Sequence, residues 1–287
     1  MKNEYYPFLV KNIDEISLPI TLVENSRFKL EFIKIGQDLI DKIFPNQQVV
    51  KMDDSYQSPI TFRGFRLNQV YQETLMGNIF LKTTQKAIYN AKDSQKYNKG
   101  LYGMIDIIHL FTEISLSEFI AFNENGKVSG EGSRGIYTHS TLMGSTRKIT
   151  PQQITQIKEY FEKYMKSGSK KLEVSFGLLR NADINGYNPY PLKCSLIVVL
   201  IESFFLEGKR SSGDNFAFCL NQYLQTGKSK EYEDFYTNRG LCFHSGQDKF
   251  KTSSWRELHT IAKKIICDYL DDEKQFKCRV NQIKSQI

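Results

Sequence analysis

A long apolar run is missing from the sequence, and this absence argues against a membrane-spanning helix. The longest apolar stretch, residues 194–206, is interrupted by Glu202 and is shorter than the roughly 20 residues that cross a bilayer. Residues 1–8 also lack the basic start and apolar core of a secretion signal. We therefore expect a cytoplasmic protein with no membrane segment.

The sequence also lacks the paired ligands of a metal site. No two cysteines form a Cys-x-x-Cys pair, and all five lie in the C-terminal third, at Cys194, Cys219, Cys242, Cys267 and Cys278. Each lies in or beside a helical pattern, which favours reduced core thiols over zinc ligands or disulfides. The N-terminal half has no Asp/Glu cluster at metal-binding spacing, and residues 126–135 contain glycines without the Lys and Ser/Thr of a phosphate-binding loop. We expect neither a metal nor a cofactor.

The length and composition fit a folded protein of two modest domains or one large one, and we favour two. The chain has 287 residues, of which 40% are hydrophobic and 25% charged, and such values exclude extended disorder. The formal net charge is +7 and the pI is near 8.9. This basic excess permits a nucleic-acid partner, but it is moderate and spread along the chain.

Residues 1–148 have the pattern of a β-rich domain. Apolar residues alternate with polar ones at Phe28, Leu30 and Phe32, as in a half-buried strand. Strands are predicted over residues 28–35, 60–67 and 77–83. Residues 118–129 are predicted to form a hairpin, because Asn125-Gly126 suits a tight turn. Helices are expected over residues 37–43 and 102–116.

From residue 149 onward the pattern indicates helices. Thr150 suits a helix cap, Pro151 the first helical position, and Gln153 completes a capping box. One face of the first helix carries the apolar residues Ile154, Ile157, Phe161 and Tyr164. Residues 192–206 are apolar nearly all round, which indicates a buried central helix. We expect residues 149–287 to form an all-α bundle, so that the whole chain is α+β.

The later helices of this bundle also have recognisable signals. Helices are predicted over residues 172–179, 216–224 and 231–244, and Gly246 suits the end of the third of these. A second capping-box pattern runs from Ser254 to Glu257 and predicts the start of a last helix. Its inward face is expected to carry Leu258, Ile261, Ala262, Ile265, Ile266 and Tyr269.

Arg239 and His244 lie near the end of the helix predicted over residues 231–244. Arginine stays charged and offers a planar set of donors to phosphate, while histidine exchanges a proton near neutral pH. Such a pair can cleave RNA without a metal, with the ribose 2′-hydroxyl as nucleophile. The same pair also fits a surface cation and a helix C-terminal cap. By spacing alone, this structural interpretation is the commoner one.

Glu202 is the second candidate of interest, because an unpaired carboxylate in an apolar helix is costly to bury. A structural interpretation pairs Glu202 with Arg180 or with another helix. A functional interpretation has it orient Arg239 or His244, and both can hold. Three further candidates are weaker: Asn238 as a phosphate contact, and Lys209 and Arg210 as an extension of an RNA path. Exposed polar surface is the commoner interpretation of each.

Three segments carry a family resemblance by their order and spacing. They are residues 171–180, ending in Arg180; residues 196–206, apolar around Glu202; and residues 236–246, which hold Arg239, His244 and a glycine two residues later. Together they resemble the HEPN superfamily, in particular the Apea-like HEPN domains of prokaryotic antiviral and abortive-infection proteins. The resemblance covers about residues 150–272.

The resemblance implies a helical bundle that pairs with a second copy and cuts RNA without a metal. Arg239 and His244 match the family's catalytic arginine and histidine. The family context implies defence against phage through cleavage of tRNA or other RNA, with an N-terminal domain that senses a phage-derived trigger or selects the RNA. Gly240 departs from the polar residue often found there in active nucleases. The alternative is therefore a non-catalytic dimerisation or nucleotide-binding module whose N-terminal domain recognises a ligand or protein.

Overall fold

The chain separates into two compact units, Met1–Phe161 and Glu162–Ile287. The computed structural model describes residues 2–8, 18–34, 36, 38–39, 42, 60–62, 65–67, 79–86, 91–112, 121–125, 128–129, 149–184, 190–251 and 253–287. The division between the units lies inside a helix, whereas the sequence places a domain boundary between residues 148 and 149, which stays a prediction.

An antiparallel sheet of six strands dominates the described part of the first unit, in the order β2-β3-β6-β1-β7-β8. Two short strands, β4 and β5, pair separately. The strands are β1 (Lys2–Phe8), β2 (Ile20–Glu24), β3 (Phe28–Lys34), β4 (Ile60–Phe62), β5 (Phe65–Leu67), β6 (Ile79–Gln85), β7 (Ala121–Asn123) and β8 (Val128–Ser129). One described helix of this unit, α1, covers Ala91–Thr112.

Most of the strand predictions are confirmed. Phe28, Leu30 and Phe32 are buried along β3, and β7 pairs with β8 as the predicted hairpin. The single strand predicted over residues 60–67 is wrong, because the chain reverses within it and Ile60 pairs with Leu67. The helix predicted over residues 37–43 falls largely outside the described residues.

Helix α1 begins eleven residues before the predicted start at residue 102. Its first half is mostly polar, so the apolar periodicity there is weak. Tyr97 and Leu101 nevertheless lie one turn apart and are both buried. The Tyr97 hydroxyl is also within hydrogen-bond distance of Thr83 Oγ1 on β6, at 2.8 Å. Contacts with the sheet therefore stabilise a helical turn that the sequence pattern does not indicate.

From Pro151 onward all the described regular elements are helices. They are α2 (Pro151–Ser167), α3 (Lys170–Ile184), α4 (Tyr190–Phe205), α5 (Gly213–Leu224), α6 (Ser229–Ser245), α7 (Ser254–Asp271) and α8 (Glu273–Lys284). Strands in the N-terminal part and helices in the C-terminal part confirm the α+β class.

The capping box predicted at the start of α2 is confirmed, because both of its hydrogen bonds are present. The Gln153 backbone N–H donates to Thr150 Oγ1 at 3.2 Å, and the Thr150 N–H donates to Gln153 Oε1 at 2.9 Å. These two hydrogen bonds satisfy donors that a helix start leaves without an intrahelical partner. The four apolar residues predicted for the inner face of α2 are all buried.

Helix α4 is the centre of the second unit and is buried along most of its length, as its composition predicts. It packs against α3, α6 and α7. Near its end, edge-to-face aromatic contacts join Phe204 and Phe205 to three rings from α5, α7 and α8: Tyr223, Tyr269 and Phe276. This aromatic cluster holds the C-terminal end of α4 in place. Glu202, a residue of the candidate site, lies near this end.

Two predictions for the C-terminal helices are wrong. Ser254 does not cap α7, because the cap position is Ser253, which makes no side-chain cap hydrogen bond. Ser254 is instead buried, and the Glu257 carboxylate accepts from Lys228 Nζ at 2.7 Å. Helix α7 is also not the last, since Asp272 caps α8 by accepting from the Gln275 N–H at 2.9 Å. The inward face predicted for α7 is confirmed.

The cysteines do not all lie in the core. Cys194 and Cys219 are buried, but Cys278 is exposed, so the prediction of five core thiols is wrong for that residue. Within the described ranges, no cluster of three or more His, Cys, Asp or Glu side chains is arranged to hold a metal ion. Nor does any helix in those ranges have the length and apolar character needed to cross a membrane.

Candidate functional site

Helix α6 carries both Arg239 and His244. Its N-terminal half is anchored by two buried aromatic residues, Tyr232 and Phe235. It ends at Gly246, which has a positive φ of 65° and donates its N–H to the Cys242 carbonyl at 3.1 Å. Glycine adopts this left-handed conformation without steric cost. The C-terminal half of α6, between Phe235 and Gly246, contains no buried residue.

Arg239 is paired with Glu202 across the contact between α6 and α4. The distance from Arg239 Nη2 to Glu202 Oε2 is 2.8 Å, and the two side chains are 17% and 20% exposed. A carboxylate near the end of an apolar helix therefore has a charged partner, as its burial requires. The partner is Arg239 rather than Arg180, the residue that the structural interpretation named first.

The aromatic ring of Tyr236 completes the environment of Arg239. Tyr236 lies three residues before Arg239, so the two side chains share one face of α6. The guanidinium carbon of Arg239 is 4.3 Å from the centre of the Tyr236 ring, close enough for a cation–π interaction. Arg239 thus has a carboxylate at its edge and an aromatic ring against its face.

Ser211 closes these contacts into a ring of four side chains. Its hydroxyl donates a hydrogen bond to Glu202 Oε1 and also lies within hydrogen-bond distance of the Tyr236 hydroxyl. Ser211, Glu202, Arg239 and Tyr236 are called the arginine network below. Because each member contacts two others, the network restricts the orientation of the guanidinium.

The loop before α5 brings Ser211 to this position. Ser212 caps α5 by accepting from the Asn215 N–H at 3.3 Å. At Gly213, an added Cβ would lie 3.3 Å from Glu233 Cγ on α6, so a side chain there would crowd the neighbouring helix. Glycine at this position allows the loop and α6 to approach closely enough for Ser211 to reach Glu202 and Tyr236.

Arg239 has one donor without an acceptor. Its Nε–H is buried and has no hydrogen-bond partner among the described residues. Leaving a buried donor unpaired costs about 1–3 kcal/mol.

His244 lies outside the arginine network, in the last turn of α6, and is exposed. Five residues of α-helix correspond to a rotation of about 140° from Arg239. The surface between them is open, since a Cβ added at Gly240 would meet nothing within 4 Å and Phe243 is 47% exposed. The imidazole is therefore accessible to a molecule bound on this surface.

The remaining predicted site residues occupy different places. Asn238 donates from Nδ2 to the Lys249 carbonyl at 3.2 Å, which holds the segment after α6 against the helix. Lys209 and Arg210 are exposed in the loop that leads to Ser211. The structure thus brings Glu202 together with Arg239 and places the two basic residues next to Ser211 in the chain.

Arg180 lies on α3 and is not one of the residues that contact Glu202. Lys171, near the start of α3, contacts Glu207 just after α4, so the two helices run antiparallel. Arg180 is nine residues further along α3, about 14 Å along the axis from Lys171. The contacts that Glu202 makes are with Arg239 and Ser211.

Ser211 and Tyr236 are the site residues that the sequence did not indicate. Tyr236 had a usable signal, because a ring three residues before an arginine shares its helix face. Ser211 had none, since its contacts with Glu202 and Tyr236 span 9 and 25 residues of chain. A serine in a polar loop is usually exposed surface.

No protein-family model matches the sequence, and neither a characterised protein nor a solved structure matches the chain. A function must therefore be inferred from the residues themselves. The relevant observations are Arg239 in its network, His244 exposed on the same helix, and the open surface at Gly240 between them.

Proposed function

We propose that this chain is a metal-independent endoribonuclease of the HEPN type that acts as a homodimer. The observation that carries the proposal is on α6, where Arg239 is oriented by the arginine network and His244 is exposed. The fold is compatible with it, because the three segments that resemble the family fall on α3, α4 and α6 of one helical unit.

The reaction uses the 2′-hydroxyl of the RNA as nucleophile. An imidazole of His244 takes the proton from this hydroxyl while the 2′-oxygen forms a bond to phosphorus. The bond from phosphorus to the 5′-oxygen breaks, and a protonated imidazole, the partner's His244 in a dimer, gives that oxygen a proton. The products are a 2′,3′-cyclic phosphate and a 5′-hydroxyl, and no water is consumed.

Arg239 stabilises the negative charge that builds up on the phosphate oxygens in the transition state. One Nη2–H is engaged by Glu202, and the guanidinium has further N–H donors on Nη1 and Nη2 for a phosphate. A guanidinium already held in place loses less conformational freedom when it binds a phosphate. Glu202, Ser211 and Tyr236 are positioning residues in this proposal, and Asn238 supports the end of α6.

A second copy supplies the other half of the cleft. Gly240 leaves open space, and Phe243 is a large apolar side chain that is 47% exposed on the same half of α6. These features favour contact with an identical helix through a two-fold axis. The Arg239 and His244 side chains of one copy would then face those of the other. The rotation of about 140° between Arg239 and His244 within one helix therefore matters less.

The biological role follows from the family resemblance. The nuclease would cleave tRNA or other cellular RNA in the cytoplasm as a defence against phage. The N-terminal domain, residues 1–148, would sense a phage-derived trigger or select the RNA. Lys209 and Arg210 would extend the path of the bound strand beyond Ser211.

The same network also favours a second function, a non-catalytic dimerisation or nucleotide-binding module. Glu202 balances the charge of Arg239, and a guanidinium neutralised in this way attracts phosphate less strongly. Gly240 adds no polar group to the surface between Arg239 and His244. In this alternative the pair stabilises the bundle, and the N-terminal domain recognises a ligand or a protein.

Cleavage of total tRNA in EDTA separates the two functions. We expect the wild-type protein to cut, and His244→Ala and Arg239→Ala to lose at least about 100-fold in rate, as general acid–base catalysis and charge stabilisation predict. The controls are Gln247→Ala and Arg256→Ala, at two exposed residues of the same unit, and they should cut like the wild type. Equal cleavage by the wild type and both site variants would contradict the nuclease proposal.

A further inference from the structure

Three lysines converge on the end of α4, beside the proposed nuclease site. Lys171 Nζ, from α3, donates to the Glu207 carboxylate, and Lys284 Nζ, from the last turn of α8, donates to the Glu207 carbonyl at 3.2 Å. Lys209 follows two residues after Glu207 and is exposed. Lys171, Lys209 and Lys284 are called the lysine cluster below.

The lysine cluster carries more positive charge than its surroundings neutralise. Among the residues that the structure describes, Glu207 is the acidic side chain in contact with it, and the pKa of Glu207 is lowered first by the hydrogen bond from Lys171. Burial lowers the pKa of Lys284, and repulsion by Lys171 and Lys209 lowers it further. Three ammonium groups and one carboxylate leave two positive charges. A phosphate group placed there would relieve the repulsion.

The chain connects the lysine cluster directly to the arginine network. Gly208, with a positive φ of 78°, turns the chain after α4, and the Lys209 N–H donates to the Leu206 carbonyl at 3.0 Å. Ser211 lies four positions after Glu207, so their Cα atoms lie at most about 14 Å apart. A short stretch of an RNA strand can reach from one to the other.

We propose that the lysine cluster binds backbone phosphates of the RNA strand, a few nucleotides from the bond that is cut. This inference rests on the proposed nuclease function and specifies how its substrate is held. Ammonium groups bind phosphate as point charges without reading the bases. The substrate is therefore recognised in part by a strand that extends past the cleavage position, whatever its sequence.

The test is the salt dependence of binding to a strand that cannot be cut. The probe is a fluorescently labelled oligouridine of about 20 nucleotides with methylated 2′-oxygens, and binding is followed by anisotropy. Each phosphate contact contributes about 0.7 to the slope of log affinity against log salt for single strands. Replacing the three lysines of the cluster with Gln should make the slope about 2 less steep.

The matched control has the same change in net charge at three exposed lysines of the same unit: Lys166→Gln, Lys230→Gln and Lys274→Gln. Its slope should remain close to that of the wild type. A fourfold rise in salt concentration should then lower the affinity of the wild type and of the control for the probe about 20-fold more than that of the cluster variant. Equal slopes for the cluster variant and the control would overturn the inference.

A gain of affinity provides a second test that does not depend on the stability of the triple variant. Glu207→Gln removes the carboxylate beside the cluster and should bind the probe several-fold more tightly than the wild type. Unchanged or weaker binding by this variant would count against the cluster.

Cleavage is measured separately on tRNA, so the two claims fail in different ways. If the protein cleaves tRNA but the cluster variant and the control have equal salt slopes, only the proposal that the lysine cluster binds RNA is overturned. If the probe binds with the predicted slopes but Arg239 and His244 are dispensable for cleavage, the nuclease proposal fails and the anion site remains.

Discussion

Arg239 uses the two distinct surfaces of its guanidinium. The edge carries N–H donors, one of which engages Glu202, and the flat face lies against the ring of Tyr236. An ammonium group cannot make both contacts in this geometry, because it has no planar face. A lysine at this position would keep the charge and lose the orientation.

The Tyr236 ring should therefore influence cleavage without touching the substrate. Tyr236→Leu removes an interaction worth about 0.5–2 kcal/mol, which corresponds to about a 2- to 30-fold lower kcat. Tyr236→Phe keeps the ring and loses the hydroxyl contact with Ser211, so it should retain more activity. Single-turnover cleavage of tRNA measures both. Equal loss in the two variants would show that the hydroxyl, and not the ring, is what matters.

The Glu202 carboxylate should stabilise the folded bundle. Glu202→Ala leaves a largely buried guanidinium without its partner, which should lower the free energy of unfolding by about 1–3 kcal/mol. Glu202→Gln keeps one acceptor oxygen for Arg239, and its amide N–H can donate to the Ser211 hydroxyl, so this variant should lose less. Urea denaturation measures the difference. If Glu202→Ala unfolds like the wild type, the network does not hold α4 and α6 together.

Helix α6 combines a firmly anchored first half with an open second half. Tyr232 and Phe235 are buried, whereas the turn around Gly240 has free space on its outer side. Glycine inside a helix is unfavourable by about 1 kcal/mol relative to alanine. Its presence in the open turn is consistent with an incoming strand or helix that needs the room.

The Gly240→Ala variant distinguishes an effect on helix stability from an effect on binding at the surface around Gly240. The new Cβ meets nothing within 4 Å, so the free energy of unfolding of the isolated subunit should rise by about 0.5–1 kcal/mol. Cleavage should fall, because the methyl group narrows the surface between Arg239 and His244. Urea denaturation and tRNA cleavage are compared for the same variant. A stabler protein with unchanged cleavage would show that this turn does not contact RNA or a second copy.

Several elements could be predicted from local signals. Thr150 and Gln153 cap each other within four residues, and Gly246 ends α6 by its own backbone conformation. The same kind of pattern failed at Ser254, because packing buries that serine inside α7. Local hydrogen-bonding patterns indicate where a helix can start, and tertiary contacts decide whether it does.

Helix α8 and two of the four residues of the arginine network, Ser211 and Tyr236, were not predicted from the sequence. The buried residues of α8, Phe276, Val280 and Ile283, follow a helical spacing but stand among many charged residues. Arg239 and Glu202 were chosen for their chemistry, yet their pairing spans 37 residues. Ser211 joins them only because the chain turns at Gly208 and approaches α6 at Gly213. Such long-range contacts leave no local pattern.

At the scale of the whole molecule, the proposal requires two copies. Phe243 is the large apolar residue exposed on α6 beside His244. Phe243→Asp should give a monomer by light scattering and lose cleavage, because a buried carboxylate opposes association. The matched control is Val174→Asp on α3, a residue that is 60% exposed, and it should remain dimeric and active. A Phe243→Asp protein that stays dimeric would place the interface elsewhere.

The chemistry of the cut ends shows whether the RNA itself supplies the nucleophile. Wild-type protein incubated with tRNA in EDTA should leave 2′,3′-cyclic phosphates and 5′-hydroxyls, identified by mass spectrometry of the fragments, because the nucleophile belongs to the RNA. Fragments with 3′-hydroxyl and 5′-phosphate ends, formed equally by the wild type and His244→Ala, would contradict cleavage by the 2′-hydroxyl with His244.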